Sequence, residues 1–443
     1  MSENVKSVKK REIFGWAMYD FANSSYTTVI TSLVYAAFFT DYIIPAESSV
    51  RDSYWSLALV ISTIIAIVLS PLVGAICDYG GGKKRYLLFS TLACSLGTLG
   101  LYFVGPGDVW MAILLIAVSN AGFMLGESFC ASFLTDLANK DNMAIISGLG
   151  WGLGYFGGLA SLALVLFVII SVDPPESNLA LFIKQNQHAV IATGIFYLLS
   201  ALPTFVLVND RSKPKPGYED AKLGDLMKVG LKELKESYSL AKQYDVLFKF
   251  FIAFMVYMAG LEVILKFVGI YAKQELALTQ GELTTVFLVL QISAAVGALL
   301  FGFLETKLGA KRTVLMTIGW WIVACLGMYF LSTIAEVGGM TIGRAFLFIA
   351  VMAGAGVGSI QSSSRTVVGL LSPPGRSAQM FGFWGMFSRL AIILGMTFGP
   401  VADMAGRHNA VLLIVLFFAL GGLLLWFVPI DEHAKSLKEG EVA

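Results

Sequence analysis

Long hydrophobic blocks recur along almost the whole chain. The block at 53–77 reads SYWSLALVISTIIAIVLSPLVGAIC and contains no ionisable side chain. At a rise of 1.5 Å per residue, an α-helix of ~20 apolar residues crosses the hydrocarbon core of a bilayer. Lipid cannot hydrogen-bond an open backbone, so blocks of this kind must be helical. The pattern therefore predicts an all-α polytopic membrane protein.

Twelve such blocks are predicted to be membrane spans. Composition supports this prediction, because 57% of the residues are hydrophobic, only 14% are charged, and mean hydropathy is +0.76. A soluble domain has nearly twice that share of charged residues. The predicted spans are 13–43, 53–77, 86–104, 109–135, 144–171, 189–208, 247–271, 283–304, 313–333, 339–361, 378–401 and 410–429.

The placement of basic residues predicts the orientation. Of the 31 Lys and Arg residues, 23 fall on the side of the N-terminus, 4 on the opposite side and 4 within spans. Basic residues concentrate on the cytoplasmic side of membrane proteins, so both termini are predicted to be cytoplasmic. We expect a multi-pass plasma-membrane protein, in bacteria an inner-membrane protein, with the lipid bilayer as its main partner.

A hydrophilic linker divides the spans into six plus six. We predict an N-terminal six-helix bundle at 1–208, a linker at 209–246, and at 247–443 a second six-helix bundle with a short cytoplasmic tail. Apolar residues recur at helical spacing in the linker, which indicates either an amphipathic helix on the inner membrane surface or a solvated helix. Those apolar positions are Leu223, Met227, Leu231, Leu234, Tyr238 and Ala241.

An internal repeat supports two pseudo-symmetric bundles. The segment AILLIAVSNAG at 112–122 resembles AFLFIAVMAGA at 345–355, and SGLGWGLGYFGGLA at 147–160 echoes FGFWGMFSRLAIIL at 381–394. The offset is 233 residues for the first pair and 234 for the second. Duplicated halves around a central cavity are typical of secondary transporters.

The loop after the second span carries a sequence signature. It reads GAICDYGGGKKR at 74–85. Gly74 permits close helix approach, and Asp78 can cap a neighbouring helix N-terminus or hold a cation. The signature residues resemble the loop motif of the major facilitator superfamily, which implies twelve spans and a gating role. The residues predicted to contribute to gating are Gly74, Asp78, Gly81, Lys83 and Arg85.

The second half repeats this motif imperfectly as GFLETKLGAKR at 302–312. Thr306 occupies the position of the acid, and Glu305 comes one residue early. The second-half loop is therefore expected to be the weaker of the two latches.

Two further stretches narrow the resemblance. Asp20-Phe21-Ala22-Asn23-Ser24 in the first span and LLSPPGRSAQMFGFWGMFSRLAIILGMTFGPV at 370–401 are similar to the superfamily branch of the fungal vacuolar, autophagy-related amino-acid effluxers and their bacterial relatives. This resemblance implies the major facilitator fold and suggests amino-acid-like solutes.

Rare charged and polar residues inside spans are the candidate binding groups, because a charge in hydrocarbon is costly. Asp20 belongs to a polar stripe with Ser24, Thr27, Thr31 and Tyr35 that must face a cavity or another helix. Glu127 is a proton-site candidate or one half of a structural pair. Arg389 suits a solute carboxylate or a structural acid, since its guanidinium binds carboxylates in bidentate fashion. The predicted substrate- or proton-binding residues are Asp20, Asn23, Asn120, Glu127, Tyr155, Glu262, Lys266, Trp384 and Arg389.

These features predict a secondary active transporter of a small carboxylate-bearing solute, with proton coupling through Glu127. The alternatives are an uncoupled facilitator, a carrier of muropeptide-like or lipid-like amphiphiles, and a non-transporting membrane sensor. No ATP-binding motif is present, which argues against a primary pump. The scattered His and Cys residues suggest no metal site, and the net charge of +1 suggests no nucleic-acid partner. We expect a monomer without cofactors or enzymatic activity.

Overall fold

A computed structural model of the chain is nearly all helical. It describes residues 8–45, 51–170, 178–236, 239, 242–274, 276 and 280–439. Tyr238 and Ala241, which were assigned to the predicted linker helix, lie outside the described residues. Eleven helices in the described ranges are long and apolar enough to cross a membrane, and the more polar first span precedes them. The prediction of a twelve-helix membrane fold is confirmed.

The helices have the following bounds. Spans one to six are Lys10–Tyr26 (continued by Thr27–Leu33, Tyr35–Phe38 and Phe39–Ile43), Arg51–Gly80, Lys83–Gly100 (continued by Leu101–Phe103), Val109–Ser132 (continued by Leu134–Leu137), Met143–Leu164 (continued by Val165–Ile169) and Leu179–Leu207. Spans seven to twelve are Asp245–Gln274, Gln280–Leu308, Ala310–Tyr329, Ile342–Leu371, Ser377–Gly395 and Arg407–Trp426. Shorter helices are Leu223–Lys235, Leu331–Val337, Phe398–Ala405 and Ile430–Glu439.

Local chemistry sets where several spans begin and end. The Asn178 side chain accepts a hydrogen bond from the Leu181 amide at 3.1 Å and caps span six. Gly81 and Gly82, at φ of 68° and 78°, make the turn after span two, a conformation that favours glycine. Large apolar side chains such as Ile64 and Leu114 remain exposed, as expected for helices whose solvent is lipid.

The chain divides into two compact units. Unit 1 contains Met1–Ala138, Leu153–Leu231 and Gly375–Gly385, whereas unit 2 contains Asn139–Gly152, Lys232–Pro374 and Met386–Ala443. Each unit therefore includes a short segment from the other half of the sequence. The segment 375–385 holds the start of span eleven, and the segment 139–152 holds the start of span five.

In each unit, small residues at corresponding positions bring the segment from the other half of the sequence close to the neighbouring helix. In unit 1, a Cβ on Gly74 would overlap the Ala378 carbonyl oxygen, and one on Gly382 would overlap that of Ser70. Unit 2 repeats this arrangement, with Gly302 against Ala144 (3.0 Å) and Gly148 against Ala298 (2.5 Å). Residues 298 and 302 follow 70 and 74 by one constant interval, and 378 and 382 follow 144 and 148 by another. We call the first contact the unit 1 seam and the second the unit 2 seam.

The structure corrects the predicted end of span ten. The sequence pattern ended this span at 361 and placed Arg365 in a loop, but the helix continues to Leu371 and Arg365 is only 2% exposed. The run of serines at 362–364 made this part of the chain resemble a loop. The structure buries these serine hydroxyls in hydrogen bonds, which offsets the cost of placing polar groups inside a protein.

The polar stripe of span one packs partly against another helix. Gly154 and Gly157 of span five approach the backbone at Asp20 and Phe21, because a Cβ on either glycine would meet those carbonyl oxygens. Beyond Tyr26, the helix widens into a π-helical stretch from Thr27 to Leu33. A π-helical turn rotates the following side chains away from the positions that a regular α-helix would give them. The predicted alignment of the whole stripe on one face is therefore not maintained.

The linker helix Leu223–Lys235 packs one face on span two. Leu226 is buried with Leu72 and Ile76, while Met227 and Leu231 remain exposed. The buried contact is therefore made by Leu226, whereas Met227 and Leu231, two of the apolar positions predicted to share a face, are exposed.

Candidate functional site

Asp78 caps the start of span eleven within unit 1. Its carboxylate accepts hydrogen bonds from the backbone amides of Ala378 at 3.1 Å and Gln379 at 2.6 Å. The first amides of a helix have no acceptor in their own helix, and the helix dipole places partial positive charge there. A buried carboxylate satisfies both conditions, so this capping contact holds residues 375–385 against the end of span two.

Lys83 adds a second set of contacts at the same place. Its ammonium donates to Asp136 at 2.8 Å, to the Ser377 hydroxyl at 2.7 Å and to the Ser132 carbonyl oxygen at 3.3 Å. Lys83 is only 4% exposed, and its ion-pair partner Asp136 is half-buried. Neither Asp136 nor Ser377 was identified from the sequence, because only the fold brings them to this loop.

The remaining predicted gating residues have simpler roles. Gly81 supplies a turn with positive φ, and a Cβ there would also meet Pro214 of the linker at 2.8 Å. Arg85 is exposed, and its backbone amide donates to the Gly82 carbonyl oxygen at 2.9 Å. The contacts across the unit 1 seam thus involve Gly74, Asp78 and Lys83.

In unit 2, the counterpart contact uses a base. Arg365 of span ten donates from Nε to the Ser147 hydroxyl at 3.1 Å and from a terminal nitrogen to the Ser147 carbonyl oxygen at 2.8 Å. Its guanidinium also lies over the Trp151 ring, 5.3 Å from the centroid. These contacts hold the segment 139–152 to span ten.

Two predicted polar residues form hydrogen bonds between helices of unit 1. Asn23 accepts from the Tyr197 hydroxyl at 2.8 Å, and Asn120 donates to the Ser62 hydroxyl at 2.7 Å. Both asparagines are buried, at 6% and 3% exposure. These contacts support a structural role for the two side chains in joining span one to span six and span four to span two.

The other predicted residues of the first half and Trp384 also lie in unit 1. Asp20 and Glu127 are half-buried, and each interacts with neighbouring groups. Tyr155 and Trp384 are buried, at 9% and 5% exposure.

Three predicted charged residues come together in unit 2. The Lys266 ammonium lies 3.7 Å from the Glu262 carboxylate, one helical turn away on span seven. Arg389 of span eleven is 7% exposed and close enough to Lys266 for their positive charges to interact. Spans seven and eleven also contact each other about four helical turns before Lys266, where Phe251 stacks on Phe387 at 5.3 Å between centroids.

An ion pair fixes the chain at the start of the first helix, before the hydrophobic block. Glu12 is buried and lies 2.9 Å from Arg211 of the linker. Burial alone would raise the pKa of this carboxyl, but hydrogen bonds from Arg211 and from the backbone amides of Lys9 and Asn209 lower it to about 2. The start of the linker is thereby tied to the start of the chain.

The fold is that of solved major facilitator superfamily transporters. The proton:xylose symporter XylE bound to 6-bromo-6-deoxy-D-glucose superimposes with a TM-score of 0.69, is 15% identical, and the match covers 96% of both chains. A bacterial homologue of the iron transporter ferroportin in its outward-facing state gives a TM-score of 0.68 at 12% identity, over 95% of this chain and 98% of that one. At such identities, the likeness establishes the fold alone, and it confirms the twelve-helix major facilitator fold.

Sequence relatives narrow the class. The chain is 28% identical over 435 residues to the Bacillus subtilis (strain 168) protein named "Uncharacterized MFS-type transporter YxiO", covering 96% of each. It is 26% identical over 419 residues to Autophagy-related protein 22 of Kluyveromyces lactis, covering 87% of this chain and 79% of that protein. A family model described as "Vacuole effluxer Atg22 like" matches residues 42–438. The chain belongs to this family of major facilitator transporters, which confirms the resemblance found in its sequence.

Proposed function

We propose that this transporter moves a small carboxylate-bearing solute, such as an amino acid, by alternating access. The observation that carries the proposal is the charge cluster of Glu262, Lys266 and Arg389 in unit 2. A guanidinium and an ammonium held within membrane-spanning helices attract an anionic group, because such charges are costly in hydrocarbon. These two cations therefore favour an anionic group on the solute.

Arg389 is the proposed anchor for that group. A guanidinium forms two parallel hydrogen bonds to a carboxylate, whereas an ammonium acts as a single point charge. Lys266 is already paired with Glu262 at 3.7 Å, so a solute carboxylate at Arg389 leaves that pair intact.

The two seams are the proposed moving contacts. Asp78 holds residues 375–385 in unit 1, and Arg365 holds residues 139–152 in unit 2. We propose that both contacts break and re-form during each transport cycle, as expected when repeated bundles rock around a fixed site. The family resemblance of the Asp78 loop supports this role.

Proton coupling is proposed to run through Glu127, helped either by Asp20 or by the Glu262–Lys266 pair. Glu127 and Asp20 are half-buried carboxyl groups in unit 1. Neutralising Glu127 as Gln should abolish uptake driven by a pH gradient while exchange of internal for external solute continues. Unchanged gradient-driven uptake in Glu127→Gln would contradict coupling through this residue and would favour an uncoupled facilitator.

We further propose that the protein acts as a monomer in the plasma membrane with both termini in the cytoplasm. The strong bias of Lys and Arg toward the loops on the side of the termini supports this orientation. A cysteine introduced at Ser2 should react with a membrane-impermeant thiol reagent only after the cells are broken open. Labelling of this cysteine in intact cells would show that the N-terminus lies on the outer side of the membrane and would contradict the proposed orientation.

A thermal-shift screen on purified protein tests the solute class, because a ligand that binds the folded state raises its melting temperature. The panel comprises amino acids, short peptides, sugars and organic anions. We expect hits among carboxylates, abolished in Arg389→Ala. Arg344→Ala is the matched control, since Arg344 lies exposed at the start of span ten and should leave the shift unchanged. Hits confined to sugars, or carboxylate hits retained by Arg389→Ala, would contradict the proposed anchor.

A further inference from the structure

The unit 2 seam contains a buried acid, Glu305, that stands one residue before the motif position held by Asp78 in unit 1. Glu305 lies one turn after Gly302 on span eight and is only 3% exposed. Thr306, which occupies the motif position of Asp78, is exposed instead. The acid of the second half is thus displaced by one residue, which turns it to a different face of the helix.

The two acids have opposite hydrogen-bond environments. Asp78 accepts two backbone amides at a helix N-terminus, and Lys83 lies five residues further along. Glu305 receives one hydrogen bond, from the Ser363 hydroxyl to Oε2 at 2.7 Å. Within the described residues, its Oε1 is buried and has no hydrogen-bond partner. A carboxylate needs several donors when it is removed from water, so the site of Asp78 suits the charged form and the site of Glu305 does not.

The charged groups around Glu305 do not compensate for these missing donors. Asp431 of the C-terminal helix is near enough for its negative charge to oppose a charge on Glu305. Arg365, two residues after Ser363, directs its guanidinium to Ser147. Lys311 donates its ammonium to the Trp426 carbonyl oxygen at 2.7 Å. Lys307, the nearest cation along the helix, is exposed.

We propose that Glu305 is a proton-binding site, and that it holds a proton in the conformation seen here. In the neutral acid, Oε2 carries the hydrogen and donates it to the Ser363 oxygen across the same 2.7 Å contact. Oε1 is then a carbonyl oxygen, for which the lack of a donor is far less costly than for a carboxylate. The proton comes from water and returns to water, so no other reactant is required.

The location of Glu305 links this proton to the unit 2 seam. Gly302, one turn before Glu305, packs against Ala144 of the segment 139–152. Separation of span eight from that segment would admit water and allow Glu305 to ionise. If the seam opens during transport, which rests on the proposed function, protonation of Glu305 favours the packed seam and deprotonation favours the open one. Pairs of acids held in opposite protonation states by their surroundings are a recurring means of coupling protons to function.

Infrared spectroscopy of the full-length protein in lipid nanodiscs tests the proton directly and needs no solute. A protonated carboxyl group absorbs in a carbonyl-stretch region that is separate from carboxylate and amide absorption. We expect such a band at neutral pH in the unmodified protein, its loss in Glu305→Gln, and its retention in Asp78→Asn. Ser363→Ala should retain the band but shift it to higher frequency, because it removes the hydrogen bond to Oε2.

The outcomes separate clearly. A neutral-pH spectrum that is identical in Glu305→Gln and in the unmodified protein would overturn the proposal. If Glu305→Gln does not fold, the Ser363→Ala spectrum decides: a shifted band supports protonated Glu305, and an unshifted spectrum overturns it. None of these results depends on the solute screen, so the proton site and the proposed transport function can fail independently.

Discussion

Replacing Asp78 by Asn removes the charge at the unit 1 seam while keeping the size of the side chain. The carboxylate accepts one amide on each oxygen, from Ala378 at 3.1 Å and from Gln379 at 2.6 Å. An asparagine has one oxygen and one NH₂ group, so it can accept from only one of these amides without placing two donors face to face. Asp78 is 7% exposed, so water cannot readily replace the lost acceptor.

The size of the effect follows from these contacts. Hydrogen bonds to charged groups contribute about 1.5–3 kcal/mol, and an unsatisfied buried donor costs about 1–3 kcal/mol. The lost charge at the helix N-terminus adds about 0.3–1 kcal/mol. These contributions overlap, so we expect the contact between residues 375–385 and residue 78 to be weaker by about 2–4 kcal/mol in Asp78→Asn. At 1.4 kcal/mol for each tenfold change, this is a shift of roughly 30-fold to 700-fold toward release.

Hydrogen–deuterium exchange measured by mass spectrometry in nanodiscs can detect that release. The first amides of span eleven are bonded to Asp78, so they exchange only when the segment leaves it. Peptides covering 375–385 should exchange faster in Asp78→Asn, while peptides from span twelve stay unchanged. Thr306→Ala is the control, because Thr306 occupies the corresponding motif position and is exposed. Equal exchange of 375–385 in Asp78→Asn and the unmodified protein would refute the capping argument.

Three other substitutions test separate contacts by thermal unfolding. Arg211→Ala should lower the free energy of unfolding by about 1–3 kcal/mol at neutral pH. Because the pKa of Glu12 is lowered from 4.5 to about 2, the stabilisation by the Glu12–Arg211 pair is complete above pH 4.5 and disappears as the pH falls through about 2. An acid unfolding transition that is the same in Arg211→Ala and in the unmodified protein would contradict the pairing. Gly358→Ala should cost about 1–3 kcal/mol, because its Cβ would overlap the backbone of span eight, whereas Gly319→Ala, with open space around it, should be neutral or stabilising. Tyr197→Phe should lower stability by about 1–2 kcal/mol through the loss of two buried hydrogen bonds, and an unaltered melting temperature would show that they contribute nothing.

The sequence was sufficient to predict the fold, because hydrophobic length alone distinguishes a span from a loop. Span two, with its uninterrupted apolar block, was placed to within a few residues. Spans five and ten contain glycine-rich runs, and Gly148 and Gly358 within them lie against neighbouring backbones. Such contacts require small residues, so composition is a direct guide to them.

Pairings between distant residues could not be predicted in the same way. Lys83 and Ser377 are 294 positions apart, and nothing in their local sequences connects them. Arg365 was misplaced because a serine-rich helix end resembles a loop. The π-helical turns after Tyr26 leave no sequence signature, since they arise from packing rather than from residue preference.

The two intervals that define the seams differ by six residues, and the short helix Leu331–Val337 accounts for the difference. It lies in the connection 330–341 between spans nine and ten, whereas spans three and four are joined by only 104–108. Its Leu331 and Ala335 form a small core with Phe346 at the start of span ten. The added residues therefore pack against the start of span ten. They leave the spacing of the contacts within each seam unchanged. An insertion confined to a loop in this way allows the two halves of a duplicated protein to diverge at one membrane face while their shared packing stays fixed.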